Sequence, residues 1–298
     1  MKIRYVISLI AAFSLLTGCI REDRSDCTCD VLLSFIYMGD GDDDIFPEKI
    51  DQVNMYVYSA ADNSLAGEYV FDKDALTAEQ GAHLHLFPGN YRIVCWGNMF
   101  ENTQVEKTYS EAKVAEPVWF KSDSYTGTDP LYFSDVEISV PESLQDVTET
   151  CEFESSHIDM YVKLKGFKGA MGQSGEEVAV NVSHTGCPAY TDFFNVPAAE
   201  KCEVMPEIMD DPEDEDSYIM QYNVLRFTED EATSLILTNS ADGNEIYTVS
   251  IPDFIDRYEV EVDGKQEAAV AIQITLGPVG VEVVEWNIED VFPGFDKE

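Results

Sequence analysis

The chain has 298 residues, of which 45% are hydrophobic and 11% aromatic, with 18 basic residues against 58 acidic ones. This composition is typical of one large or two ordinary globular domains, and it excludes a disordered or fibrous protein. The formal net charge of −40 disfavours binding to nucleic acids and to anionic lipid headgroups, because both require basic surfaces.

The first 18 residues have the pattern of a bacterial export signal. Lys2 and Arg4 precede an apolar run at residues 5–16. This run is shorter than the about 20 residues that a membrane-spanning helix needs. It ends in Leu-Thr-Gly-Cys at residues 16–19, which resembles the bacterial lipoprotein signal box. The resemblance implies cleavage before Cys19 and acylation of that cysteine, with palmitate among the chains. An ordinary cleaved signal followed by a chance cysteine is the alternative.

The segment after Cys19 bears on where the chain would be anchored. Ile-Arg-Glu-Asp-Arg at residues 20–24 is similar to the surface-export signal of Bacteroidales lipoproteins. That similarity implies a lipid-anchored chain exposed on the cell outer membrane, and a plain charged tether is the alternative. Several acyl chains on one residue anchor a protein more firmly than a single chain.

Beyond the tether, apolar residues alternate with polar ones in short runs. These runs cover residues 31–38, 53–58, 82–87, 91–96, 158–165, 178–183, 224–227, 235–238, 246–251, 258–262 and 270–276. A period of two predicts β-strands, and clean alternation is typical of antiparallel sheets with one face in water. We find no amphipathic helix of ten residues or more, so the sequence predicts an all-β protein.

Two sandwiches fit this length better than one, because about 280 mature residues exceed a single immunoglobulin-like unit. The weakest strand pattern lies at residues 141–150. We therefore expect a lipoprotein signal peptide at 1–18, an N-terminal sandwich at 19–147 and a C-terminal sandwich at 148–298. The acidic run at 207–216 is expected to be a mobile loop, because its charges repel one another.

The seven cysteines leave disulfide bonding open. Acylation of Cys19 would leave six thiols, which could form three bridges in an exported protein. Cys95 lies in a strand-like run and is expected in the core. A bridge between Cys187 and Cys202 is one possibility. The spacing of Cys27 and Cys29 does not match a metal or redox site.

No motif in the sequence indicates an enzyme. Gly-x-Ser-x-Gly, His-Glu-x-x-His and phosphate-loop patterns are all absent from the sequence, which contains only four histidines. We therefore predict no catalytic, cofactor-binding or metal-binding residue, no cofactor and no small-molecule substrate.

His83 and His85 would share one face of a strand and could supply half of a metal site. Because Leu84 and Leu86 would then face the core, the preferred interpretation is an ordinary solvated face.

The acidic segment at residues 40–44 superficially resembles a calcium loop. Ile45 and Asp51 stand where an EF-hand loop needs glycine and glutamate. A solvated loop is therefore preferred, with weak calcium binding as the alternative.

Three segments of the sequence stand out together. The first is the cysteine-led charged segment at residues 19–27. The second combines Asp-Asp-Ile-Phe at 43–46 with Ile-Asp-Gln-Val-Asn-Met-Tyr-Val-Tyr at 50–58. The third is Leu-Phe-Pro-Gly-Asn-Tyr-Arg-Ile-Val-Cys-Trp-Gly-Asn at 86–98. As a set, they resemble the FimB-like fimbrial anchor lipoproteins of Bacteroidales, which anchor type V pili. The resemblance implies two transthyretin-like or immunoglobulin-like antiparallel β-sandwich domains behind a lipoprotein signal peptide. It also implies an outer-membrane chain at the base of a fimbrium, and donor-strand exchange with pilins.

The tail at residues 281–291 could take part in such an exchange. Its alternation places Val284, Trp286 and Ile288 on one face. Our hypothesis is that this face pairs with the first stalk pilin by β-augmentation, while the strand at 31–38 closes the chain's own groove. The alternative is that the tail is the last strand of the second sandwich.

The expected function is therefore structural: an outer-membrane lipoprotein that anchors a fimbria through a pilin partner. A tip or accessory position in the fimbria stays open. The alternative is a surface glycan-binding β-sandwich lipoprotein. Its stacking residues would be Trp96, Trp119, Tyr125 and Tyr132. A calcium-dependent adhesin is a third interpretation.

Overall fold

The computed structural model of the chain describes residues 27–100, 103–106, 113–116, 121, 124–143, 145–170, 179–278 and 280–286. Strands dominate these residues and the three helices are short, which confirms the predicted all-β class. Within these ranges, no helix has the length and apolar character required to cross a membrane. The predicted signal peptide and Cys19 lie outside the described residues.

The strands of the first half are β1 Cys29–Ile36, β2 Val53–Ser59, β3 Leu65–Phe71, β4 Gly81–Leu86, β5 Gly89–Gly97, β6 Gln104–Val105, β7 Lys113–Ala115, β8 Ser124–Tyr125, β9 Tyr132–Val140, β10 Val147–Glu152 and β11 Glu154–Ser155. Those of the second half are β12 His157–Lys165, β13 Val180–Pro188, β14 Thr191–Asp192, β15 Lys201–Val204, β16 Met209–Asp210, β17 Ser217–Leu225, β18 Ser234–Asn239, β19 Glu245–Ser250, β20 Ala269–Gly277 and β21 Gly280–Glu285. The helices are α1 Phe46–Lys49, α2 Lys73–Ala78 and α3 Ile251–Tyr258.

Two sheets form the first sandwich, with strand orders β10-β1-β4 and β11-β9-β5-β2-β3. Strand β1 lies in the middle of the smaller sheet, parallel to β10 and antiparallel to β4. Its residues alternate between buried and more exposed positions, as period-two patterning predicts. The inward side chains of both sheets form one core that includes Phe35, Tyr37, Phe46, Met55 and Leu84.

The second sandwich has the strand orders β16-β17-β12-β20-β21 and β19-β18-β13-β15-β8. Its core includes Met160 and Phe167, and α3 adds Phe254 to it. Helix α3 begins because the Ser250 side chain accepts a hydrogen bond from the Asp253 N–H at its N-cap.

Helix α3 explains one wrong prediction, the strand at residues 258–262. The helix runs to Tyr258, and Glu259 then ends it in the left-handed conformation with φ of 53°. Residues 260–262 continue as a loop. The capping serine and the proline at 252 start a helix where period-two alternation alone favoured a strand.

The two sandwiches share one connectivity. The order β10-β1-β4 in the first corresponds to β20-β12-β17 in the second, and β9-β5-β2-β3 corresponds to β19-β18-β13-β15. The parallel and antiparallel directions agree at every matching pair. The second sandwich adds β21 beside β20, and the described strands of the first contain no counterpart.

A third apolar cluster lies where the two sandwiches meet. Trp96 and Phe133 come from the larger sheet of the first sandwich, Val114 from β7, and Phe193 and Leu225 from the second half. The small sheet β14-β7-β6 contributes to this layer. Strand β2 is therefore buried on both faces along most of its length.

The expected division between residues 147 and 148 falls at the start of β10. Both β10 and the following β11 pair with strands of the first sandwich. In the other direction, β8 pairs with β15 of the second sandwich. Strand pairing thus changes from one sandwich to the other near Ser156, and the division at 147 and 148 stays a prediction.

The acidic run at 207–216 is not a free loop. Strand β16, which lies within it, pairs with β17. Buried Asp211 lies 2.7 Å from the Nζ of Lys163, and Asp210 lies 2.7 Å from the Nζ of Lys168. These cations, more than forty residues away in sequence, offset the repulsion within the run.

The six described cysteines are all free thiols. Cys95 is fully buried, as predicted. Cys187 and Cys202 face each other across β13 and β15. They are unbridged, and the Sγ of Cys202 lies 3.5 Å from the carbonyl oxygen of Cys187. Cys27 is the exposed member of the set.

Candidate functional site

The C-terminal hairpin of β20 and β21 contains the described part of the predicted pairing strand. The two strands pair from Gly277 and Gly280 at the turn, and Gly280 has φ of 138°, a conformation that side chains disfavour. Among the described strands, β21 pairs with β20 alone, so it forms the described edge of its sheet. Val281 and Val283 are partly buried against the second core. The Tyr258 hydroxyl donates to the carbonyl of Val283 at 2.8 Å.

Trp286 fixes the end of this hairpin on the other face of the sheet. It is 7% exposed and packs with Tyr161, Ile219 and Ala271. Its backbone N–H donates to the carbonyl of Ala271 at 3.0 Å. The Nζ of Lys163 lies 5.8 Å from the centroid of the indole ring, within reach of a cation–π interaction.

The structure therefore brings two of the predicted pairing residues to one face. Val284 lies opposite Gln273 of β20, and Trp286 continues the same alternation. Ile288 and Cys19 lie outside the described residues. In this conformation, β21 is the last described strand of the chain and belongs to a sheet of the chain's own second sandwich. Pairing of the tail with a pilin stays a prediction.

At the other end of the chain, β1 fills the centre of its sheet. Val31 lies opposite Val147 on one side and Leu84 on the other. Phe35 packs edge-on against Phe153 at 5.7 Å between ring centroids, and it is completely buried. The strand that follows the predicted tether is thus fixed by two hydrogen-bond ladders and by the core.

Between these two ends, the sandwiches are joined by charged residues. Asp40 accepts the backbone N–H groups of Gln266 and Glu267, each at 2.9 Å. The Glu267 carboxylate accepts a hydrogen bond from the Tyr37 hydroxyl and forms an ion pair with Lys49. Burial, together with the contact to Glu267, raises the pKa of Tyr37 far above its usual value, so the phenol stays a neutral donor.

Arg226 ties the same region to the linker between the sandwiches. Its Nε donates to the carbonyl of Ser155 at 2.9 Å, and its guanidinium also donates to the carbonyl of Gln266 at 3.2 Å. The Ser155 N–H donates to the side-chain oxygen of Gln266 at 2.8 Å. We call the contacts of Asp40, Glu267, Arg226 and Ser155 the sandwich junction.

These contacts bear on the calcium interpretation of residues 40–44. Asp40 accepts two N–H groups in the junction. Asp44 accepts the backbone N–H of Tyr37 at 2.9 Å and a hydrogen bond from the Gln80 side chain at 2.7 Å. Both carboxylates thus already serve protein donors, which disfavours their use as calcium ligands.

Other sequence candidates have structural positions. Trp96, Tyr125 and Tyr132 are at most 4% exposed, so they cannot form the sugar-stacking surface of the alternative interpretation. Their rings instead fill apolar clusters between strands. Trp119 lies outside the described residues. His83 and His85 are exposed, as expected from the buried positions of the leucines that alternate with them.

The sandwich junction was not found by sequence reasoning. Asp40 and Glu267 are 227 residues apart, and no local pattern distinguishes them among the 58 acidic residues. One feature of the sequence could have indicated that Asp40 lies in a fixed loop. Tyr37 and Phe46, on either side of it, are core residues that hold the loop in position.

The comparisons with known proteins agree with this architecture. The family model described as fimbrillin-A associated anchor proteins Mfa1 and Mfa2 matches residues 24–292. No curated protein sequence matches the chain significantly.

Several solved structures share the fold. The fimbrial anchor protein Mfa2 from Porphyromonas gingivalis is 13% identical, with a TM-score of 0.65 over 87% of this chain and 98% of that one. A candidate polysaccharide-binding protein from Bacteroides thetaiotaomicron is 14% identical, with a TM-score of 0.68 over 89% and 100%. A candidate adhesin from Bacteroides ovatus is 15% identical, with a TM-score of 0.67 over 87% and 95%. At these identities, the likeness establishes the fold.

Proposed function

Because the chain belongs to the family of fimbrillin-A associated anchor proteins, we propose that it is an outer-membrane lipoprotein that anchors a fimbria to the cell surface. Family membership itself implies a fimbria-associated role at the cell surface. The lipid attachment at Cys19 and the pairing with a pilin are the finer parts of the proposal.

One observation carries the anchoring role: the strand nearest the proposed tether is the central strand of its sheet. Strand β1 begins at Cys29 and is bonded to β10 and β4 along its length. Residues 20–28 would span at most about 30 Å when fully extended, so the first sandwich would lie close to the membrane. A lipid on Cys19 would therefore be joined to a well-packed core through one short segment.

The proposed pilin contact lies at the opposite end of the chain. Strand β21 pairs with one strand among those that the structure describes, and its three valines are only partly buried. An edge strand can be released or extended with less disruption than a central strand, which suits β-augmentation. In the proposal, the tail carrying Val284, Trp286 and Ile288 pairs with the first stalk pilin.

The anchoring role is tested with Cys19→Ala in the native host. We expect fimbriae to be shed into the medium with this chain still attached to them. Cys27→Ala is the matched control, because Cys27 is exposed and close by in sequence, and it should leave fimbriae on the cells. Fimbriae that remain attached in the Cys19 variant would contradict the anchor role and favour a search for glycan ligands.

The pairing strand is tested first by deleting residues 281–298. A folded protein that no longer captures pilin supports the proposal. Loss of the cooperative melting transition would show that the tail is needed for the chain's own fold, which argues against its donation.

An engineered disulfide that holds β21 on β20 distinguishes donation of the tail from a purely structural role more clearly than the deletion does. Gln273 and Val284 lie opposite each other on β20 and β21, so cysteines at both positions should bridge the hairpin without removing it. If the tail must leave its own sheet to pair, the locked protein should fail to capture pilin until a reductant is added. Gln273→Cys alone is the control. Equal capture by the locked and reduced forms would show that release of β21 is not required.

A further inference from the structure

We propose that Asp30, His83 and His85 form a surface binding site for a divalent transition metal, with Zn²⁺ as the representative ion. The three side chains come from the adjacent strands β1 and β4, and one ligand atom from each lies within 4.8 Å of the other two. This site is independent of the fimbrial assignment, since it rests only on side-chain geometry.

The strand register places these residues together. Asp30 lies directly opposite His85, and His83 is the next residue of β4 on the same face. Leu84 and Leu86 point into the core and hold β4 in place. The two imidazoles are therefore presented from a rigid strand, with their ring centroids 4.9 Å apart.

Both rings direct a nitrogen at the same carboxylate oxygen. The Asp30 Oδ1 lies 2.7 Å from the Nδ1 of His85 and 3.5 Å from the Nε2 of His83. Ligands 2.0–2.2 Å from a tetrahedral Zn²⁺ are separated by roughly 3.4 Å. The contact between Asp30 and His85 must lengthen, and the remaining separations, which are all within 4.8 Å, must approach this value. Rotation of the exposed side chains can provide both adjustments.

The ligand chemistry favours a transition metal over calcium. Imidazole nitrogens bind zinc, copper and nickel, whereas calcium selects oxygen ligands. Three protein donors would leave one coordination position for water or for a donor from another molecule. The net charge of −40 also raises the local concentration of divalent cations near the surface.

A bound ion would connect β1 to β4. In the fimbrial proposal, β1 is the first strand after the tether, so the metal would reinforce the sheet where the lipid attachment joins the folded chain. Without metal, the three residues are linked only by exposed contacts of the two imidazoles with Asp30 and with each other.

The test uses the full chain with Cys19→Ser, purified in mild detergent and stripped with EDTA. Competition with a chromogenic chelator measures Zn²⁺ affinity and stoichiometry. We expect one ion per chain. His83→Gln and His85→Gln should each weaken binding by more than about tenfold, because loss of even an outer-shell partner commonly costs about 10–100-fold.

Melting curves provide the second readout. Without metal, the wild type and the variants should melt together, because both histidines are solvent-exposed. With Zn²⁺ at about a hundred times its Kd, the melting temperature of the wild type should rise by a few degrees. The melting temperature of the variant that carries both His83→Gln and His85→Gln should not change.

Cys27→Ser is the matched control, because its exposed thiol is the nearest competing zinc ligand in sequence. Binding should survive this substitution. Zinc binding that persists in the double histidine variant, or its absence from the wild type, would overturn the proposal.

Discussion

The Oδ2 of Asp40 lies 2.9 Å from the backbone nitrogen of Glu267, whose N–H donates to it, and the Glu267 carboxylate in turn contacts Tyr37 and Lys49. Each sandwich thus supplies an acceptor for donors of the other. A loop of the first sandwich is fixed against the segment that leads into β20, and the two sandwiches are joined by directional bonds as well as by apolar contact.

The first prediction concerns this junction. Asp40→Ala removes the acceptor of two N–H groups and should lower the free energy of unfolding by about 1–2 kcal/mol. Asp42→Ala is the control, because Asp42 lies in the same exposed turn, and it should change stability by less than about 0.5 kcal/mol. Urea unfolding measures both, and equal midpoints would show that the junction contributes nothing.

The second prediction concerns the acidic run. Lys163→Met leaves Asp211, whose side chain is fully buried, without its cation, and should destabilise the fold by about 3 kcal/mol at neutral pH. Lys168→Met is the control, because its partner Asp210 is 81% exposed, and it should cost less than about 0.5 kcal/mol.

The cost of Lys163→Met should also depend on pH. Burial alone would raise the pKa of Asp211, but the hydrogen bond and charge of Lys163 hold it below its usual value. In the wild type, this carboxylate therefore adds stability above its unfolded pKa of about 3.9, which is lost as pH falls. In the variant, the unpaired carboxyl should protonate on folding. The difference in unfolding free energy should then shrink toward pH 4, and a difference that does not change with pH would contradict the role of Asp211.

The third prediction concerns Glu116, the residue that directly follows β7. Burial and the nearby charge of Asp129 raise the pKa of Glu116 to about 7. The unfolded side chain loses its proton near pH 4.3, so stability falls as pH rises from about 4 to 7. Because each pKa unit corresponds to about 1.4 kcal/mol, Glu116→Gln should stabilise the protein by up to about 3 kcal/mol above pH 7 and by nothing near pH 4. Glu106→Gln, at an exposed position beside the same small sheet, should have no such pH-dependent effect.

The fourth prediction concerns thiol reactivity. Burial raises the pKa of the Cys95 and Cys187 thiols well above the usual range, and that of Cys202 to about 11. In the Cys19→Ser chain, a thiol reagent at neutral pH should label Cys27 rapidly and the five buried cysteines only after unfolding. Mass spectrometry counts the labels. Fewer than six labels in denaturant without reductant would reveal disulfides.

Period-two alternation predicts several strands of this fold in which one face is buried and the other is exposed to solvent. Strand β4 is an example, because its Ala82, Leu84 and Leu86 are buried whereas its His83 and His85 are exposed. The pattern is weaker in β3 and β10, which lie at sheet edges and expose most of their side chains. These two strands were missed for that reason.

The candidate sites also differ in how much of their geometry can be predicted from the sequence. The shared face of Val284 and Trp286 follows from alternation along one strand, and so does the shared face of His83 and His85. The addition of Asp30 to the histidines depends on the register between β1 and β4, which one sequence does not contain. The shared connectivity of the two sandwiches is likewise a property of strand pairing.

The central position of β1 has a mechanical consequence for the proposed anchor. A pull applied at the membrane end and directed along the strand would strain both of its hydrogen-bond ladders in shear, so many bonds would have to break together. Within the described part of the chain, β21 has one ladder, and a force across its edge would open the bonds one after another. Under tension, β1 would therefore stay paired at the tether end of the chain, and the C-terminal hairpin would separate first.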